Sequence, residues 1–358
     1  MIFSAEGPAF SFDPQGFIDA FLGDLPRCAQ VCLLYEVNGP TSVERGRIHL
    51  DERKTVERLA KFPPTRPTAT QVISFVDWAT ATYPSRYRSL VFRDHGSPLD
   101  EVVKRGRPRA RSSRNWLAPV RQSVGAGDGA PYLSDGDLRR IGEKIEKRGI
   151  DIYGFDACAM SSFEVAFELR HVASYMVASM NFLRQASWPY AAMLRKMNER
   201  GTPRAAACEV AAQSALTVPE GFLMALDLAW ASRLAKRLDT IGAAATYLLA
   251  NSSALNAGRG ADFEGLADLK NVLAVMKKLP KREPPVGFGP AVQDAYQLCS
   301  SAFAVAGTPY DPQRTGNCGG VGIFFPQETE YEYWGLYGEL KFARRNRWRQ
   351  FVQEYCFG

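Results

Sequence analysis

The run Ile150 to Met160, I-D-I-Y-G-F-D-A-C-A-M, constrains the fold of this chain more than any other segment. Its apolar, β-branched residues and the glycine near its end have the length and composition of a buried strand. It breaks off in Asp156-Ala157-Cys158, just before a helical pattern. Side chains two apart on a strand share a face, so Asp156 and Cys158 are expected to project together at its carboxyl end. Negative charge beside a thiol disfavours thiolate. The pair makes chemical sense when the carboxylate meets a cationic group of a substrate and something else activates the sulfur.

The chain has three histidines, His49, His95 and His171. Ser89-Leu-Val-Phe-Arg-Asp-His-Gly96 is a second short apolar run that ends in a reactive residue followed by glycine. Sites in an open parallel sheet form at the carboxyl ends of strands, so neighbouring strands would bring His95 and Cys158 to one edge. An imidazole within reach of a thiol is the arrangement that makes a sulfur nucleophile at neutral pH. Gly96 leaves the backbone open to close approach, so its N–H is a candidate oxyanion donor. His49, in Arg47-Ile-His-Leu50, reads as decoration on a strand, and His171 as a helix-surface residue after Arg170.

Asp-His-Gly after a strand, followed later by Gly-Phe-Asp-Ala-Cys-Ala-Met, resembles the clostripain family of cysteine peptidases in the caspase-like clan. Tyr83-Pro84, Val177-Ala-Ser179, Trp188-Pro-Tyr190, Ala225-Leu-Asp-Leu228, Gly320-Val-Gly-Ile-Phe-Phe-Pro326 and Leu340-Lys-Phe-Ala343 leading to Trp348 extend the likeness over roughly residues 28 to 355. The resemblance implies that Cys158 is the nucleophile and His95 its general base and acid. It implies an oxyanion hole from the backbone N–H groups of Gly96 and Cys158. It also puts Asp156 at the base of the pocket for an Arg or Lys before the scissile bond. Met180-Asn181 stand where relatives usually carry acids after Val-Ala-Ser. That leaves Asp156 to meet the cation, and a carboxylate pairs better with a planar guanidinium than with an ammonium, so Arg is expected over Lys. The family includes calcium-dependent members, but no compact Asp/Asn/Glu loop is evident here and no cofactor is required by the sequence.

The net charge of +6 is unevenly spread. Lys104, Arg105, Arg107, Arg109, Arg111 and Arg114 lie in one segment without an acid, and the remainder is close to neutral. Proline and glycine breaks and a lack of periodicity mark a loop. It reads in three ways: a solvated loop, an anionic-surface or nucleic-acid patch, or a cleavage loop. Nucleic-acid patches interleave bases with aromatics. Only Trp116 follows, so nucleic acid is not the expected partner. An Asp-lined pocket and an Arg-rich loop between His95 and Cys158 favour the cleavage loop, which would make the chain a zymogen cut within 104–114 by itself or by an upstream protease.

Seven scattered cysteines without a second ligand pair argue against zinc and fit a reducing cytoplasm. No apolar run is long enough to span a membrane, and the first residues do not read as a secretory signal. The expected partners are protein or peptide substrates bearing Arg or Lys.

Strand and helix patterns alternate. Strands are expected at Met1 to Ala5, Ala29 to Glu36, Arg88 to Arg93, Ile150 onward, Tyr175 to Ser179, Gly221 to Ala229 and Val321 to Phe325. Helices are expected at Pro14 to Leu25, from the capping box Thr68-x-x-Gln71, Leu133 to Lys147, from the box Ser161-x-x-Glu164, around 231–250, 262–279 and 289–305, and at the end. The fold class is α/β with a mostly parallel central sheet sandwiched by helices; the resemblance names it caspase-like with a C-terminal helical extension. Residues 1–225 form the expected catalytic core, and 226–358 pack on the same sheet as one structural unit. Three functions fit: an endopeptidase cutting after basic residues, by analogy in a bacterial defence or cell-death cascade; a catalytically silent scaffold using the basic loop to bind a partner or nucleic acid; and acyl transfer on the same dyad.

Overall fold

The computed structural model of the protein describes residues 1–5, 14–21, 31–38, 42–50, 54–63, 68–93, 96–97, 123–124, 133, 135–180, 183, 188–199, 201–217, 223–258, 266–280, 284–306, 319–326, 337–338 and 340–357. Thirteen short strands are found among them. They are β1 Ile2–Ala5, β2 Leu33–Asn38, β3 Val43–Ile48, β4 Val56–Phe62, β5 Ser89–Arg93, β6 Gly96–Ser97, β7 Ser123–Val124, β8 Ile150–Asp156, β9 Ala173–Ala178, β10 Met224–Asp227, β11 Leu266–Asp268, β12 Ala304–Ala306 and β13 Gly322–Phe324.

Nine of these form one sheet in the order β12-β10-β9-β8-β5-β1-β2-β3-β4. The inner run β9-β8-β5-β1-β2 is parallel throughout. Antiparallel strands flank it on both sides. β8 lies inside that run between β9 and β5 and is buried along both faces, as its continuous apolar sequence requires.

Two apolar cores cover the sheet. One face carries Phe92, Tyr153, Phe155 and Met176. It packs against the helices Ala69–Thr82, Asp135–Ile145, Phe163–Leu169, Ala231–Gly242 and Arg347–Phe357. The other face carries Val91, Ile152, Val177 and Ala225, under Pro14–Phe21, Tyr190–Asn198 and Pro203–Thr217. Trp348, Phe351 and Val352 are fully buried. The aromatic stripe of the last helix is therefore core, and each such side chain contributes about 1.5–3 kcal/mol of burial.

Several elements differ from the sequence expectation. β2 begins at Leu33 and runs to Asn38, later than expected. A strand was expected around His49, but neither the start of β3 at Val43 nor its partner β4 was anticipated, because Arg45 is a buried residue that reads as surface. Arg45 Nε donates to Glu36 Oε2 at 2.7 Å and the guanidinium lies over Trp78. The helical stretch around 231–250 is broken into Ala231–Gly242 and Ala245–Leu249. β13 does not join the main sheet; it pairs antiparallel with β11.

Candidate active site

β8 delivers its last residues to the carboxyl edge of the sheet between β5 and β9. The ladder between β5 and β8 is in register from Ser89 opposite Ile152 to Arg93 opposite Asp156. It stops two residues short of both His95 and Cys158. His95 and the segment 104–114 lie outside the described residues. Gly96 is described in its backbone, where it opens the short ladder β6–β7 opposite Val124. That ladder brackets residues 98–122 in the chain.

After Asp156 the chain turns sharply through Ala157, Cys158 and Ala159. Ala159 has φ +54°, a left-handed conformation costing a non-glycine residue roughly 1–2 kcal/mol. Both flanking alanines are buried. Cys158 is half-buried and packs on the same core as Val91 and Val177. Asp156 meets Tyr190 of that same core, so the two side chains do share a face.

The Cys158 sulfur accepts a hydrogen bond from the Leu183 N–H at 3.2 Å and donates to the Leu183 carbonyl at 3.6 Å. Donation from a backbone N–H is one of the interactions that stabilise negative charge on an acceptor. The helix after the turn begins at Phe163, and its N-cap is Ser162, whose Oγ accepts from the Val165 N–H at 3.2 Å. The expected cap, Ser161, instead donates its hydroxyl to the Gly320 carbonyl at 2.8 Å. The helix starts at Phe163 as expected, with its cap one residue later than the box suggested, and Glu164 rather than the thiol occupies its first turn.

Asp156 is closely held. Tyr190 donates its hydroxyl to Oδ2 at 2.8 Å, and the Arg93 Nε lies 3.8 Å from the same oxygen. Burial pushes the Asp156 carboxyl above the ordinary range, against the opposing pull of Arg93 and Tyr190. Burial and the neighbouring carboxylate hold the Tyr190 phenol well above its usual value, so it remains a donor. Tyr190 is positioned through Trp188, which lies over Gly154: a Cβ on that glycine would come within 2.7 Å of the indole Cη2.

Of the residues singled out from sequence, Asp156 and Cys158 stand together at the strand end. His49 is remote, on the β3–β4 side, with its Nε2 at 2.7 Å from Glu57 Oε2. His171 lies in the turn after the helix Phe163–Leu169 and is solvent-exposed. Met180 is half-buried, and Asn181 lies outside the described residues. Arg93, Leu183 and Tyr190 were missed as site residues. Tyr190 belonged to a quoted motif without a role, whereas Arg93 needed the β5–β8 register to be seen. Nothing local marks Leu183.

Among the described residues no group of three or more His, Cys, Asp or Glu could hold a metal. None of Cys32, Cys158, Cys208, Cys299 and Cys356 is disulfide-bonded. No described helix is long and apolar enough to cross a membrane.

Residues 66–216 match the Clostripain family, which bears out the resemblance read from the motifs. The fold is similar to three solved structures. One is an inactive zymogen C11 protease from Parabacteroides distasonis, with a TM-score of 0.64 at 15% identity over 96% of each chain. A secreted C11 cysteine protease from Bacteroides thetaiotaomicron gives 0.67 at 15% identity, covering 96% of this chain and 97% of that one. The third, a secreted C11 cysteine protease from the same organism in complex with an irreversible peptide inhibitor, gives 0.64 at 14% over 96% of each chain. At these identities the likeness establishes the fold alone, the α/β architecture with a mostly parallel central sheet flanked by helices that was expected from the sequence. A search of the curated proteins finds no match to the chain.

Proposed function

We propose that this chain, clostripain-like over residues 66–216, is a cysteine endopeptidase that cleaves after basic residues, Arg before Lys. The observation that carries the reading is the in-register parallel pairing of β5 with β8, which ends beside the segments bearing His95 and Cys158. In the proposed reaction His95 takes the Cys158 proton and the sulfur adds to the scissile carbonyl. The N–H groups of Gly96 and Cys158 receive the developing oxyanion. The carbon–nitrogen bond breaks as His95 returns the proton to the leaving amine. Water, deprotonated by His95, then hydrolyses the thioester and restores the thiol.

Asp156 is the proposed partner of the basic side chain, and the chain is proposed to be a zymogen cut within 104–114, autocatalytically or by an upstream protease. This chemistry uses no cofactor, and the calcium dependence that the resemblance allows is tested by adding chelator. The scattered cysteines support a reducing, cytoplasmic setting.

The test is cleavage of a fluorogenic peptide ending in Arg by wild type, Cys158→Ala and His95→Ala. Loss of activity in both variants at unchanged melting temperature supports the reading. Full activity in folded Cys158→Ala would remove it. A wild type with no turnover before or after loop cleavage would leave the silent scaffold.

A further inference from the structure

Arg93 stands directly opposite Asp156 in the ladder between β5 and β8, so the backbone register fixes where its guanidinium is delivered. Its Nε is 3.8 Å from Asp156 Oδ2, beyond hydrogen-bond length. That oxygen takes its hydrogen bond from Tyr190 at 2.8 Å, and the phenol in turn meets the Arg93 side chain. The pair Arg45–Glu36 in the same sheet behaves differently: its Nε and Nη2 lie 2.7 and 2.5 Å from one carboxylate oxygen. The Arg45 side chain is 10% exposed and that of Glu36 fully buried, whereas the Arg93 side chain is 22% exposed and that of Asp156 8%. Arg93 therefore neutralises its partner without locking onto it, and does so at the solvent edge of the sheet.

We propose that Arg93 is a specificity-determining residue: it serves Asp156 as an internal counter-ion, and a basic substrate side chain binds by displacing it. This rests on the reading that Asp156 meets the residue before the scissile bond. An incoming guanidinium can make two parallel hydrogen bonds to a carboxylate, where Arg93 supplies charge at a distance. The substrate cation wins on geometry, and the charge of the site is unchanged because one cation leaves as another arrives. Opening the internal pair is subtracted from substrate binding. The chain thus selects a basic side chain less steeply than the same aspartate would without Arg93. With Met180-Asn181 after Val-Ala-Ser, those two positions supply no second acid to offset that subtraction.

The test compares kcat/KM for three peptides that differ only before the cut: Arg, Lys and citrulline, the neutral shape-mimic of Arg. Wild type, Arg93→Gln, Arg93→Lys, Asp156→Asn and the double variant Arg93→Gln/Asp156→Asn are measured alongside melting temperature. Arg93→Gln should raise kcat/KM for the Arg peptide by about tenfold, chiefly through KM, and leave citrulline unchanged. Arg93→Lys, which restores a competing cation, should stay within about threefold of wild type. Asp156→Asn should bring Arg and citrulline together, and the double variant should show no gain over it.

If Asp156→Asn leaves the Arg-to-citrulline ratio intact, or no peptide is cut at all, the underlying reading of the pocket fails and this inference falls with it. If Asp156→Asn collapses the ratio while folded Arg93→Gln shows no gain for Arg, the pocket reading stands and Arg93 is only structural. Where Arg93→Gln does not fold, Arg93→Met, which keeps the stem, takes its place, and a folded Arg93→Met without a gain for Arg overturns the proposal equally. Failure of both variants to fold makes Arg93 a structural requirement and likewise overturns it.

Discussion

Ser161 donates its hydroxyl to the carbonyl of Gly320 at 2.8 Å, joining the turn that carries Cys158 to a segment 159 positions later. The Gly322 N–H returns a bond to the Ser161 carbonyl at 2.8 Å, and the Ser161 N–H reaches Ser179 at the end of β9 at 2.7 Å. The late part of the chain thus braces the Cys158 turn directly. The short β11–β13 ladder is the frame from which it does so.

Asp268 holds that frame. Its carboxylate accepts from the N–H groups of Gly319 at 2.7 Å, Gly320 at 2.8 Å and Asn271 at 2.9 Å, the last as a helix N-cap. Gly320 has φ +73°, and a Cβ there would strike Met224, so the position favours glycine. Asp268→Ala should cost about 2–4 kcal/mol, the sum of a lost cap and unsatisfied buried donors. Urea denaturation measures it; a loss below about 0.5 kcal/mol, the level of an ordinary surface change, would contradict the bracing role.

Glu164 gives the same region a pH dependence. It is buried in the first turn of its helix, accepts from the Phe324 N–H at 2.9 Å and from Tyr337 at 3.3 Å, and its Oε2 has no partner among the described residues. Burial pushes its carboxyl up to about 7, from an ordinary value of 4.5. A folded-state value above the unfolded one means the stabilisation is complete below 4.5 and is lost as pH rises through 7. The loss is on the order of 3 kcal/mol by pH 8. Glu164→Gln mimics the protonated form, so it should match wild type near pH 5 and exceed it at pH 8. Equal pH profiles for the two proteins, measured by thermal unfolding, would refute this.

Gly154 is where the strand makes room for the Asp156 support. An added Cβ would come within 2.7 Å of Trp188 Cη2 and 3.1 Å of Val91 Cγ2, and the indole is fully buried. Gly154→Ala should therefore cost about 1–3 kcal/mol by overpacking. By pushing Trp188 it should also move Tyr190, so selection of Arg over citrulline should fall more than turnover of the citrulline peptide. A variant with wild-type melting and wild-type selectivity would show that Trp188 has room to move.

β8 was legible because a continuous apolar run bounded by Gly149 and a polar break can be little else, and its period places Asp156 and Cys158 on one side. The pairing of Arg93 with Asp156 was not legible. It depends on the register of two strands some sixty positions apart, which no local pattern encodes. Ser161 and Ser162 are equivalent as caps by residue type, and the long-range bond to Gly320 decides between them. The first half of β3 was hidden for a related reason: Arg45 looks like surface until Glu36 and Trp78 enclose it.

The sheet order also predicts what a cut within 104–114 does. That segment lies between β5 and β8, which are neighbours in the sheet although the chain leaves and returns between them. The first fragment would keep β1 to β6, and the second would keep β7 to β13. Five in-register residue pairs and apolar cores that draw on both fragments hold them together. The two fragments should therefore co-elute under native conditions and separate only in denaturant. Cys158→Ala should stay intact if the cut is autocatalytic, and be cut when active enzyme or an upstream protease is added. Replacing Lys104, Arg105, Arg107, Arg109, Arg111 and Arg114 by Gln or Ser should block the cut at a stability cost within about 0.5 kcal/mol, the usual range for surface changes. Mass spectrometry and activity on one preparation decide the outcome. Full, immediate activity of the uncut variant would show that the segment is no activation switch and leave it a solvated loop.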